Sequence, residues 1–99
     1  MNNQYWNKRF EEIIEQHWNG KYRTIPVFLV SLHNDILGLF QHCSSGANCI
    51  LLNQDSGLSQ DDMEKVFLHE ICHHIVFEEY GPDVEEHGKE WQHEMEKVR

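Results

Sequence analysis

The sequence predicts an α+β domain: an N-terminal helix, a small, mainly antiparallel sheet of three strands, a long central helix and a short last helix. Three observations carry this. Apolar residues near the start recur at helical spacing. Residues 25–53 hold three apolar, β-rich runs separated by turns. Residues 66–77 are apolar around most of a helix, with one polar window. The 99 residues suit a single domain, 1–99, with a modest core.

Trp6, Phe10, Ile13, Ile14 and His17 follow the i, i+4, i+7, i+8 spacing of an amphipathic helix, with Glu11, Glu12 and Glu15 on the other face. Asn19-Gly20 ends it, Gly20 being suited to a left-handed cap. Residues Ile25 to Leu32 are almost continuously apolar and read as a strand covered on both faces. Pro26 is tolerated near its start. His33-Asn34-Asp35 turns the chain. Ile36 to Cys43 is a second strand, where Gly38 marks a bulge or a close backbone approach. Ser44-Ser45-Gly46 makes a hairpin turn to a third strand, Cys49 to Asn53. Ser59 is a good N-cap, and Asp61, Asp62 and Glu64 favour a helix start. The central helix runs from Gln60 to about Glu79, where Gly81-Pro82 stops it. A last helix spans Glu86 to Val98, with Trp91, Met95 and Val98 as its apolar stripe.

Between Val66 and Phe77 the only polar side chains are His69, Glu70, His73 and His74. At about 100° per residue they share one sector of roughly 140°. Buried polar groups need partners, so such a window in an apolar helix is hard to explain by packing. The bland explanation is a pair of core histidines bonded to backbone carbonyls. The chemical one is the order His69-Glu70-Ile71-Cys72-His73, H-E-x-x-H. Histidines four apart lie one above the other and can reach one metal ion, as in zinc peptidases. Glu70 is turned partly away, placed to act as general base toward a water at the metal. A peptidase zinc needs a third protein ligand, and His87, Glu86, Glu90, Glu94 and His93 are the candidates. Tyr80, His74 and His93 are candidates to stabilise an oxyanion. Glu85, Glu86, Glu78 or Glu94 could orient the histidines.

Composition narrows the classes. Seventeen acidic and 8 basic residues give a formal charge of −9. That argues against strong nucleic-acid binding by this chain alone and against docking on an anionic membrane. Eight histidines in so short a chain fit a metal protein. The three cysteines, Cys43, Cys49 and Cys72, form no dense framework and point to a reducing, cytoplasmic setting. Cys72 reads as a small buried apolar residue. Cys43 and Cys49 could face each other across the hairpin, more simply as thiols than as a disulfide or second metal site. The start of the chain reads as no signal peptide, and no apolar run approaches membrane-spanning length.

Fourteen residues after His73, His87-Gly88-Lys89-Glu90-Trp91 reads H-G-x-x-W. An H-E-x-x-H helix followed by H-G-x-x-[FW] resembles the SprT-like zinc metallopeptidases, the family that includes Spartan-type proteases. Leu37-Gly38, a Gly-containing turn and Cys49 to Asn53 look like the strands that precede the active-site helix there. The resemblance covers roughly residues 25–96. It implies a zincin-like fold with one zinc ion held by His69, His73 and His87, the last from a C-terminal ligand helix. It further implies Glu70 as general base, and hydrolysis of peptide bonds in a protein or peptide lying along an edge strand. Family members often carry a C-terminal zinc ribbon, and no such Cys pairs are found in these residues.

Other metal families fit less well. Metzincins need Gly and His where Val76 and Glu79 stand. Endoribonucleases of the three-histidine type need a closer third histidine and no glutamate. Gluzincin-type peptidases use an acidic third ligand, which Glu86, Glu90 or Glu94 could supply. A non-catalytic zinc-stabilised module that binds protein is the alternative of a different class, and the intact Glu70 speaks against it.

Overall fold

The Asn2 side chain opens the first helix by accepting the Tyr5 N–H at 3.0 Å. Helix α1 (Asn3–Trp18) closes at Asn19, which itself takes the left-handed conformation (φ 54°), and Gly20 continues it at φ 72°. Asn tolerates that region because its short polar side chain bonds locally. The computed structural model describes residues 2–42 and 45–99. Along these the order continues β1 (Val27–Val30), β2 (Gly38–Gln41), β3 (Cys49–Asn53), α2 (Gln60–Tyr80) and α3 (Lys89–Glu96).

The sheet is mixed, in the order β1-β3-β2. The β2–β3 pair is the expected antiparallel hairpin, with Leu39 opposite Leu51. Strand β1 is parallel to β3, with Phe28 beside Leu51. Residues 31–37 carry the chain past β3 to its far side, so β1 and β3 run the same way. Asn53 holds that connection. Its buried amide accepts the N–H of Leu32 and Asp55 and donates to the carbonyls of Leu32, His33 and Ile36.

The two helices α1 and α2 cover one face of the sheet only. Val27, Ile50 and Leu52 are fully buried there, whereas Phe28 and Leu39 are 42% and 40% exposed on the other. The expectation that β1 is covered on both faces is therefore wrong. Its apolar run supplies one buried face and one open one. The core is aromatic: Trp6 and Phe10 each meet Phe67 edge-on, at 5.1 and 5.5 Å between ring centroids. Arg9 clamps α1 to α2 through a forked bond to Glu64 at 2.7 and 3.1 Å. Cys72 packs in this core, and burial pushes its thiol up to about 12. The proposed pairing of Cys43 with Cys49 lies outside the described residues.

Helix α2 begins as read: Ser59 Oγ accepts the Asp62 N–H at 3.2 Å, and the helix stops at Gly81, φ 80°. Helix α3 is shorter than expected, because Gly88 is its N-cap and stays extended. A Cβ on Gly88 would stand 3.0 Å from Glu85 Cβ and 3.4 Å from Glu85 O, so the turn before the helix closes tightly on itself. His87 consequently precedes the helix instead of lying on it. Among the described residues no helix is long and apolar enough to cross a membrane.

Candidate metal centre

Helix α2 presents His69 and His73 one turn apart, and the segment before α3 brings His87 against them. The three Nε2 atoms form a triangle with every side 3.1 Å. Protons alone cannot satisfy this triangle. Each ring nitrogen is either a donor or an acceptor, so at least one side faces two like atoms. Three lone pairs turned on a shared cation remove the conflict. Tetrahedral zinc at about 2.0–2.1 Å from each imidazole nitrogen separates the nitrogens by roughly 3.3–3.4 Å. The observed triangle lies within a few tenths of an ångström of that. His69, His73 and His87 could thus hold one metal ion.

Trp91 supports the triangle from α3. Its ring stacks on His73 (centroids 5.6 Å, 24° between planes) and meets His69 and His87 at 4.8 Å. Its indole N–H donates to the His69 carbonyl at 3.3 Å, tying α3 to α2 beside the ligands. Burial, and then the neighbouring imidazoles, lower His73 to about 4. Burial first, then His87, lowers His69, while Glu86 works the other way. Both effects favour neutral rings, the form that binds metal.

Glu70 lies beside the triangle, buried, with its carboxyl pushed up to about 7. Burial is the main cause; a backbone hydrogen bond from Phe40 pulls it down, and the charge of Glu86 pushes it up. Strand β2 runs close over this point. A Cβ on Gly38 would stand 2.7 Å from Val66 Cγ1 and 3.2 Å from Glu70 Cγ. This is the close approach that a glycine inside a strand allows. A cleft of about 330 Å³ opens above the histidines, between β2 and residues 81–87.

The SprT-like family model matches residues 1–99. The chain belongs to the SprT-like family. Comparison with curated proteins and with solved structures gives no match.

Of the residues singled out in this SprT-like chain, His69, Glu70, His73 and His87 come together. Others do not. His74 turns into the core, fully buried, with its Nε2 on the Arg23 carbonyl at 2.8 Å. It is the core histidine of the polar window. Tyr80, His74 and His93 are not among the residues that line the cleft. Glu90 stands outside the metal-holding group. Glu78 pairs with Arg23 at 2.8 Å, and Glu94 with Lys97 at 3.0 Å, away from the ligands. Glu85 and Glu86 do line the cleft. Two contributors escaped the sequence reading: the Trp91 ring as support for the ligands, and the Phe40 amide as partner of Glu70. The W of H-G-x-x-W carried the first signal; nothing local in sequence carried the second.

Proposed function

We propose that this chain is a zinc-dependent metallopeptidase that hydrolyses peptide bonds in proteins. The observation that carries the reading is Glu70: a buried carboxyl beside three convergent imidazoles, yet outside their triangle. A purely structural metal site fills its coordination with protein and has no use for such a neighbour. Zinc held by His69, His73 and His87 would supply Lewis acidity toward the scissile carbonyl and lower the pKa of a water.

The remaining work falls to the chain itself. Glu70 accepts a proton on its carboxylate and returns it to the leaving amine. Burial raises its proton affinity in the metal-free protein, and a cation held by the three histidines would lower it again, toward the carboxylate that a general base needs. The hydrogen bond from the Phe40 backbone favours the ionised carboxylate. Trp91 holds the His69 and His73 rings at their angles and keeps water from their inner side. The substrate lies extended along β2, whose outer edge borders the cleft. The general base, the ligand set and the substrate class all belong to this proposal, as does the cytoplasmic setting expected from the cysteines.

The test is hydrolysis of a denatured protein by the tag-free chain, before and after chelation. Loss of cleavage on chelation and its return with zinc support the reading. Cleavage that persists at full rate in metal-depleted protein would overturn it.

A further inference from the structure

The two edges of the sheet differ. Along β1 the outward groups are capped by α1. Val27 N–H donates to Asn7 Oδ1 at 3.0 Å, and Asn7 Nδ2 donates to the Val27 carbonyl at 2.9 Å. Leu29 N–H donates to Asn3 Oδ1 at 2.7 Å. Along β2 the Leu37 carbonyl faces β3, where it accepts the Asn53 N–H at 3.0 Å. By the alternation of an antiparallel ladder, Gly38 and Phe40 turn their polar groups outward. Phe40 already bonds Glu70 through its backbone, so Gly38 is the outward residue of this edge that a partner strand would meet. An incoming strand therefore finds one receptive edge, and it is the one beside the histidines.

Before the start of that edge lies a second cavity, of about 570 Å³. Ile36, Leu37, Leu39 and Val66 line it, and it reaches the metal centre through His69 and Glu70. Ile36, Leu37 and Leu39 are 38%, 40% and 40% exposed, a large apolar surface to leave in water on one side of a polar site. The wall is held in place, since Asn53 Nδ2 donates to the Ile36 carbonyl at 2.9 Å and the Asn53 N–H to that of Leu37. Nothing needs to fold for a ligand to enter.

We propose that this groove binds a bulky apolar side chain of an extended peptide, on the residue that follows the cleaved bond. The inference rests on the peptidase reading and adds the substrate class to it. Continuity with the metal centre makes the peptide the occupant: a chain laid on β2 across His69 and Glu70 must pass this groove. The direction follows from pairing. Antiparallel addition is the more stable arrangement, and it sends the carboxyl side of the peptide past Leu37 and Ile36. A side chain such as Leu, Phe or Met then leaves water against an apolar wall.

The experiment has two arms. In the first, wild-type, zinc-loaded protein cleaves a mixture of denatured proteins, and mass spectrometry reads the bonds cut. Enrichment of Leu, Ile, Phe or Met just after the bond is expected. No apolar preference there, or one found only before the bond, would overturn the proposal. In the second, labelled extended peptides that differ at one position, Leu against Ser, are titrated onto zinc-loaded Glu70→Gln protein. The Leu peptide should bind about tenfold tighter, and Leu37→Glu should erase that margin while Leu37→Met preserves it. Equal binding of both peptides would overturn the groove, whatever the cleavage assay shows. Binding that follows the Leu margin, with no cleavage by wild type, would keep the groove and remove the peptidase.

Discussion

Replacing Gly38 by alanine tests whether β2 is pressed onto α2 as tightly as the site requires. The added methyl would sit 2.7 Å from Val66 Cγ1, a separation that real Cβ contacts do not show, and 3.2 Å from Glu70 Cγ. Val66 is β-branched and on a helix, where its χ1 is nearly fixed, so it cannot swing aside. The strand must lift, which loosens the hydrogen bond from Phe40 to Glu70 as well. Overpacking of this kind costs about 1–3 kcal/mol. Alanine also restricts the unfolded chain, which offsets roughly 0.5 kcal/mol. The net expectation is a loss of about 0.5–2.5 kcal/mol, or a fall in Tm of roughly 2–20 °C for a domain of this size. Thermal unfolding of metal-free protein by circular dichroism measures it. The cause is checked by a cycle with Val66→Ala, which makes room. The double variant should be more stable than the sum of the two single losses predicts, by about 1 kcal/mol. An unchanged or raised Tm in Gly38→Ala, or strict additivity in the cycle, would refute the reasoning.

Three further outcomes are expected. His87→Ala should lose zinc under dialysis against a mild chelator, with an affinity lower by orders of magnitude, whereas Glu90→Ala should retain it. Metal content decides this, and the reverse pattern would move the third ligand to an acid. The isolated chain should bind DNA weakly, given its charge of −9; submicromolar, salt-sensitive binding would contradict this. Burial is the largest cause of a His74 pKa below 6.5 in the folded protein. The unfolded chain therefore takes up that proton first as pH falls below about 6.5, and stability drops, at up to about 1.4 kcal/mol per pH unit for one proton. Glu70, with its raised pKa, works in the opposite direction but equally in both proteins of the comparison. In His74→Gln the acid slope of the Tm of metal-free protein should be shallower than in wild type; identical slopes would show that His74 contributes nothing to it.

What the sequence made legible was local. Ser59 and Gly81 bound α2 because a cap is decided by a few neighbouring residues, and the i, i+4 spacing of His69 and His73 fixes their common face whatever the fold. The hairpin of β2 and β3 is likewise a short-range event. The parallel pairing of β1 was hidden, since it depends on where residues 31–37 carry the chain. Asn3 and Asn7 could not be told from ordinary polar residues on α1, although they seal the β1 edge. Periodicity placed His74 in the same sector as His69, Glu70 and His73. It could not show that this side of the sector faces the Arg23 carbonyl in the core. His87 was expected on a helix because its spacing to Trp91 and Met95 is helical. Gly88 starts the helix after it, and His87 still reaches the triangle from the preceding turn.

The central claim, that Glu70 drives hydrolysis at a metal held by three histidines without being a ligand itself, meets its most direct test in Glu70→Gln. Zinc per chain and peptide hydrolysis are measured together on tag-free protein, beside wild type. The account predicts about one zinc in each protein, unchanged unfolding, and hydrolysis lost only in the variant. Hydrolysis at the wild-type rate, or loss of zinc with the glutamate, would contradict it.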